Sequence, residues 1–449
     1  MLKYCAWFLI VVAVPVCSAT AMEKPNVLLF FVDDMGAADL GCFGSDLYRT
    51  PHLDRLASQG QRFTRAYAAA PVCSPTRAGL VTGKAPARLH LTDWLVGAAK
   101  PYAKLRVPDW TTGLPETERT IGNVLQAQGY ATAWFGKWHL GGGATSFGFD
   151  AGGQDWEHNR KDDPTDVKGA FTLNAEAMKF IDANEGKPFF VALSHYSPHG
   201  PIRFEPTLRD EYEKLIEAKK PRQTNAGYAA MIESLDQSVG QMLAWLDKQG
   251  LADKTLVIFT SDNGGVSNYT NNFPIREQKG TLYEGGIRVP MIARRPGHIP
   301  AGGVNETQFC SIDLLPSLAT LAGAKPPAGI DGQDLSAVFK TGHSVDRGAL
   351  YWHYPHYHAG RPSGAIVKGN WKVIEHFETG KVELFDLAQD PSEQRDLAAE
   401  NSGKAAELLA NLKAWRTEVG AQMMTPNPDY DPARENESPK KPKATKKAK

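Results

Sequence analysis

Val27 to Val32 is an unbroken apolar run that stops abruptly at Asp33-Asp34. The design recurs along the chain. Ala131 to Phe135 leads into Gly136-Lys137-Trp138-His139, Phe189 to Leu193 into His195 and then His199, and Leu256 to Phe259 into Ser261-Asp262-Asn263-Gly264. Short continuous apolar runs of this kind fit strands buried on both faces, as in parallel sheets. Between them, Met231, Leu235, Val239, Met242 and Leu246 recur at steps of three and four. That is one apolar face of an amphipathic helix, and its role is core packing.

Strands alternating with helices predict an α/β domain with a mainly parallel central sheet flanked by helices. Open α/β sheets bind ligands at the carboxyl ends of their strands. Polar groups more than two hundred positions apart, such as Asp33 and Asp262, are therefore expected to converge on one site.

Beyond residue 345 the pattern changes. Ala365 to Val367, the turn Gly369-Asn370 and Trp371 to Ile374 read as a hairpin. Val382 to Leu387 reads as a third strand and Ala405 to Val419 as a closing helix, giving a small antiparallel α+β unit. From Pro426 the chain is rich in Pro, Asp and Glu and ends in a run of lysines, the composition of a disordered tail. The expected organisation is a signal segment at 1–21, a catalytic domain at 22–345, a C-terminal subdomain at 346–425 and a basic tail at 426–449.

Charge adds an exclusion. Lys plus Arg and Asp plus Glu are both 50, so no bulk affinity for nucleic acid is expected. At the N-terminus, Lys3 precedes the apolar run Trp7 to Val14, and Ala19-Thr20-Ala21 follows with small residues at cleavage spacing. This reads as a secretory signal cut after Ala21. The run is too short to span a bilayer, so the expectation is an exported protein, periplasmic or secreted, without stable membrane insertion. Cleavage removes Cys5 and Cys17 and leaves Cys42, Cys73 and Cys310, an odd number in a disulfide-permissive compartment.

The surroundings of Cys73 are the most informative stretch: Cys73-Ser74-Pro75-Thr76-Arg77-Ala78-Gly79-Leu80-Val81-Thr82-Gly83. Together with Gly129 to Gly141, which contains Gly136-Lys137-Trp138-His139, and with the acids at the strand ends, it resembles the formylglycine-dependent sulfatase family. Both signatures match at every defining position, and weaker likeness runs from about Asn26 to Leu397. Two long motifs in the right order are highly specific.

The resemblance implies an alkaline-phosphatase-like fold and a catalytic apparatus. Cys73 would be oxidised during export to formylglycine by a formylglycine-generating or other sulfatase-maturing enzyme. The hydrated aldehyde offers one hydroxyl to attack sulfur and a second to expel bound sulfate, so one hard step becomes two. Arg77 would hold that group and its charge. His139 would contact it and act as base when sulfate leaves. Lys137 and Lys279 would bind sulfate, and His199 would protonate the leaving alcohol oxygen. From the residues themselves, Asp33, Asp34, Asp262 and Asn263 are hard oxygen ligands of the kind calcium or magnesium prefers. The resemblance favours calcium and adds the group at Cys73 to the metal's surroundings. His195 reads as a core-satisfied or supporting residue.

Tyr351-Trp352-His353-Tyr354-Pro355-His356-Tyr357-His358, followed by Arg361, lies where the second domain begins. These side chains, with Trp94, are candidates for stacking on and hydrogen-bonding a sugar; an interdomain packing seam explains the stretch equally well. Asp93 and the stretch Trp156 to Arg160 are further loop candidates. The expected substrate is a sulfated carbohydrate, with galactose or N-acetylgalactosamine sulfate as the guess. Two alternatives stand beside it: a phosphate or phosphonate monoester hydrolase on the same fold, and an inactive glycan-binding relative.

Overall fold

The computed structural model describes residues 24–97, 99–153 and 163–437. The expected signal segment, the stretch Trp156 to Arg160 and the terminal lysines lie outside the described residues.

The eight strands of the main sheet are β1 (Asn26–Asp33), β2 (Gln61–Phe63), β3 (Ala131–Gly136), β4 (Ala151–Gly152), β5 (Phe189–Pro198), β6 (Thr255–Ser261), β7 (Met291–Arg294) and β8 (Gly303–Asn305). Their order is β8-β2-β7-β6-β1-β5-β3-β4. β1 lies at the centre, parallel to β6 on one side and β5 on the other, and β3 continues parallel beyond β5. Only β7 runs against its neighbours β6 and β2.

The apolar run of β1 serves both faces. Val27, Leu29 and Phe31 enter one core cluster, and Leu28, Phe30 and Val32 the other. On the second face lies the helix Ala226–Lys248, whose Met231, Leu235, Val239, Met242 and Leu246 are all buried as their spacing predicts. Each such fully buried side chain contributes about 1.5–3 kcal/mol relative to exposure. The expected fold class is the observed one.

A second sheet follows, with β9 (Leu350–Tyr354), β10 (Ser363–Lys368), β11 (Trp371–His376) and β12 (Val382–Asp386) antiparallel in sequence order. The helix Ser402–Glu418 covers one face through Leu408 and Leu412. The other face packs Trp352, Tyr354 and Phe385 against Tyr67, Val72 and Leu282 of the large unit.

Under this seam Lys372, fully buried, lies 2.9 Å from Glu284 and 2.8 Å from Glu393. Burial pushes Glu393 up to about 7 against the pull of Lys372, while Lys372 and Arg288 outweigh burial to hold Glu284 below its ordinary value. A carboxyl whose folded pKa is raised stabilises most when protonated. Its contribution is complete below the unfolded value and is lost as pH rises through about 7. Wild type is thus expected to lose melting temperature relative to Glu393→Gln between about pH 5 and about pH 8. Thermal melts at both pH values check this; parallel curves would contradict it.

One boundary differs from expectation. Residues 425–437 are not free chain: Thr425–Pro426 pairs with Leu105–Arg106, and Asn427 donates to the carbonyls of Pro101 (2.9 Å) and Ala103 (2.7 Å). Arg434 stacks on Tyr102 at 3.5 Å. Composition signals a solvated segment but is blind to backbone pairing with a distant loop. No helix among the described residues is long and apolar enough to cross a membrane.

Candidate active site

The polar residues after β1, β3, β5 and β6 meet at one end of the sheet. In an ideal strand Asp33 and Asp34 would face opposite ways. Asp34 instead takes a left-handed φ of 65°, a conformation Asp tolerates better than most residues. Both carboxylates therefore reach one place. Asp33 receives Lys137 Nζ at 2.5 Å, and Asp34 receives Lys279 Nζ at 2.5 Å and Asn263 Nδ2 at 2.8 Å. Burial opposes ionisation of both acids. The surrounding cations, Lys137 foremost for Asp33 and Lys279 for Asp34, outweigh it and hold both below the ordinary carboxylate range.

The turn after β3 depends on Gly136, whose φ is 90°. A Cβ there would lie 2.2 Å from the Ser194 carbonyl, so only glycine fits. Lys137 then bonds to β5 through its N–H, 2.8 Å from the Ser194 oxygen, and His139 turns back with a φ of 57°.

Cys73 opens the buried helix Cys73–Thr82. Its Sγ is 3.2 Å from His139 Nδ1. His139 Nε2 donates to the Leu95 carbonyl at 2.8 Å; a carbonyl only accepts, so Nε2 carries the hydrogen and Nδ1 faces Cys73. Burial, then the Lys137 charge, pushes His139 down to about 3. It is a neutral imidazole, the form a base requires.

One turn on, Arg77 is fully buried and gives two bonds to Asp262 Oδ2 (3.0 and 2.7 Å), one to the Lys137 carbonyl (2.7 Å) and one to Ser194 Oγ (2.7 Å). Its guanidinium also lies over Phe31 at 4.9 Å. These bonds align Asp262, the Lys137 turn and β5, and the guanidinium also interacts electrostatically with Cys73.

Asp33, Asp34 and His199 bring ligand atoms within 4.8 Å of one another, so this group could hold a metal ion. Asp33 Oδ1 and Asn263 Oδ1 are buried oxygens without a hydrogen-bond partner. Such atoms are costly unless something binds them, and a hard divalent cation matches the oxygens of Asp33, Asp34 and Asn263. Asp262 differs from the others: Arg77 occupies Oδ2, and Oδ1 accepts the Asp34 N–H at 3.2 Å. The unmodified Cys73 Sγ faces His139, and the third member of the group is His199, which the resemblance makes the proton donor. Its Nδ1 donates to the Gly200 carbonyl at 2.5 Å, which leaves Nε2 facing Asp34 Oδ2 at 3.7 Å.

Lys168 was not legible beforehand. It is buried at a φ of 55° and donates to the His199 carbonyl. Burial lowers it to about 8, against the attraction of Asp33. A lone lysine outside any motif gives no signal in sequence. His195 stacks on Phe30 in the core, 6.2 Å between centroids, but it is not the satisfied histidine expected, since both ring nitrogens are buried without a hydrogen-bond partner.

The aromatic-histidine stretch divides. His358 is exposed, lies over Gly280 next to Lys279, and is lowered first by the surrounding protein and then by the Lys279 charge. His353 and His356 do not line an open pocket. His353 Nε2 donates to the Gln422 carbonyl at 2.8 Å and its ring packs on Phe377. His356 bonds Thr92 Oγ1 at 2.8 Å against Trp110. Both are buried because β9 and the residues after it form the seam between the two sheets. Arg361 points outward into ion pairs with Glu378 (2.6 Å) and Glu435 (3.0 Å). Trp94 is partly buried against the seam's apolar cluster.

The chain as a whole resembles known enzymes in sequence and fold. The Sulfatase family profile matches residues 25–324, and the profile for the C-terminal part of N-sulphoglucosamine sulphohydrolase matches 277–420. The chain is 32% identical to arylsulfatase A of Homo sapiens, over 87% of each chain. It is 31% identical to N-acetylgalactosamine-6-sulfatase of Mus musculus, over 85% of this chain and 78% of that one. The crystal structure of Ps i-CgsB in complex with k-i-k-neocarrahexaose superposes with a TM-score of 0.73 at 27% identity, covering 91% of this chain and 95% of that one. The protein belongs to the sulfatase family. It is a sulfuric ester hydrolase.

Proposed function

We propose that the protein is an exported sulfatase that removes sulfate from a carbohydrate, using formylglycine made from Cys73 and a calcium ion. The observation that carries this reading is the convergence of Cys73, His139, Lys137, Lys279 and His199 on two acids beside orphaned buried oxygens. Asp33, Asp34 and Asn263 would hold the calcium, with Asp262 fixed beside them by Arg77. When bound, calcium supplies positive charge that polarises sulfate oxygens. Formylglycine, once hydrated, would supply one hydroxyl to attack sulfur and a second with which to expel the sulfate.

Charge supports an anionic ester as substrate. Three carboxylates (Asp33, Asp34, Asp262) face three cations (Arg77, Lys137, Lys279). The set is near neutral, and a divalent cation would leave a positive excess that a sulfate monoester anion offsets in part. Lys137 and Lys279 then orient the sulfate, His139 Nδ1 takes a proton from the group at position 73, and His199 delivers one to the departing sugar oxygen. Arg77 keeps the turn that aims Lys137 and His139.

His358 beside Lys279, and the partly buried Trp94, are the sugar contacts this reading keeps. Likeness to a named N-acetylgalactosamine-6-sulfatase and to a structure holding an oligosaccharide supports a galactose or N-acetylgalactosamine sulfate. The partners it requires are that sulfated glycan and a formylglycine-generating enzyme. The Lys3 to Ala21 pattern supports export. Among the described residues Asp33, Asp34 and His199 form the one such cluster that could hold a metal ion.

Matched sulfate and phosphate esters of galactose and N-acetylgalactosamine test this. Sulfate release is expected to dominate, and His358→Ala is expected to raise KM about tenfold with a smaller change in kcat. Faster phosphate release would overturn the reading.

A further inference from the structure

We infer that the C-terminal subdomain fixes the tautomer of His139, acting through Tyr354, Asp93 and the Leu95 carbonyl. The chain of contacts is continuous. Tyr354, on β9, donates its hydroxyl hydrogen to Asp93 Oδ1 at 3.0 Å. Beside it, His356 bonds Thr92 Oγ1 at 2.8 Å, with its Nδ1 3.8 Å from Asp93 Oδ2 and the Trp110 ring against its face. Two residues after Asp93, the Leu95 N–H donates to Ser74 Oγ at 3.1 Å, and the Leu95 carbonyl accepts His139 Nε2–H at 2.8 Å. The next residue, Val96, is 80% exposed, and Gly97 beyond it comes back close to Trp110 and Asp93.

The consequence follows from elementary imidazole chemistry. A neutral ring carries one hydrogen, and the bond made by one nitrogen decides what the other offers. With the Leu95 carbonyl in place, Nε2 holds the hydrogen and Nδ1 presents its lone pair to position 73, 3.2 Å away. If that carbonyl withdraws, the opposite tautomer becomes accessible and Nδ1 points a hydrogen at position 73 instead. Asp93 and Tyr354 are therefore positioning residues. Acting through the Leu95 carbonyl, they decide whether His139 can accept a proton. The tautomer stands on geometry alone; its effect on turnover rests on the sulfatase reading above.

Nitrogen-15 histidine spectra of the full chain at neutral pH test this directly, with the His139 signals assigned by their loss in His139→Gln. Wild type is expected to show His139 as the Nε2–H tautomer. Tyr354→Phe and Asp93→Asn are expected to shift it toward a mixture. The same variants, at matched aldehyde content at position 73, are expected to lose about tenfold or more in kcat with KM within about twofold. Thr92→Val serves as a milder variant should the others fail to fold, with a smaller shift in the same direction. An unchanged His139 tautomer in folded variants would overturn the inference. So would a raised KM at unchanged kcat, which would make Asp93 a sugar ligand. A wild type that released no sulfate would count against the sulfatase reading, while the spectra would still decide the tautomer.

Discussion

Cys73→Ala is expected to abolish sulfate release, a loss of about ten-thousandfold or more. The size follows from what the structure provides at that position. Burial raises the Cys73 thiol above its ordinary value, and the opposing pull of Lys137 and Lys279 does not overcome it. A raised thiol pKa means a protonated sulfur at neutral pH, and the thiol is a poor nucleophile. His139 could take that proton, but a thiol has no second hydroxyl with which to release sulfate afterwards. Unconverted wild type is therefore expected to be nearly as silent as the alanine variant. Helix Cys73–Thr82 is held by its own buried face, so the variant should fold. Sulfate measured by ion chromatography gives the result. Substantial release from Cys73→Ala would mean that some other group attacks the ester.

The second large effect is expected at Asp33. Asp33→Asn should lower kcat/KM about a thousandfold, and chelation of divalent ions from wild type should do the same. Asp33 Oδ2 takes Lys137, while Oδ1 has no hydrogen-bond partner in a fully buried setting. Arg77 lies 3.9 Å from that oxygen without bonding it, which leaves Oδ1 able to ligate a cation. Added calcium is expected to restore chelated wild type fully and the Asn variant only in part. Calorimetry with calcium alone gives a readout independent of turnover, with weaker binding in the variant. Equal binding by both proteins would remove Asp33 from the metal site.

Much of this was legible in the sequence because strand-end chemistry is a local signal. Asp33-Asp34, Lys137, His139 and Asp262-Asn263 each follow an apolar run, and a parallel sheet aligns those ends. Convergence followed from topology alone. Their exact aim did not. Asp34 and His139 reach the site through left-handed backbone, and Gly136 permits the turn between β3 and Lys137. Spacing along a strand predicts none of those angles.

Two kinds of residue escaped for physical reasons. The Leu95 and Lys137 carbonyls position His139 and Arg77, but main-chain acceptors have no side-chain signature. Lys168 looks like any surface lysine until folding buries it under His199. The stretch from Tyr351 to His358 was ambiguous for a different reason. Aromatic and histidine side chains suit a sugar pocket and a packed seam alike, and a strand buried on both faces loses its polar alternation. Only His358, past the end of the strand, stays at the surface beside Lys279.

The central claim is that the aldehyde at position 73 is the source of activity. Preparations made with and without a sulfatase-maturing enzyme will contain different fractions of converted Cys73. Mass spectrometry of the peptide carrying residue 73 gives that fraction, and sulfate release from a sulfated galactose or N-acetylgalactosamine gives the rate. The account predicts a straight line through the origin, with rate proportional to aldehyde. Full activity in a preparation whose residue 73 is still cysteine would contradict it.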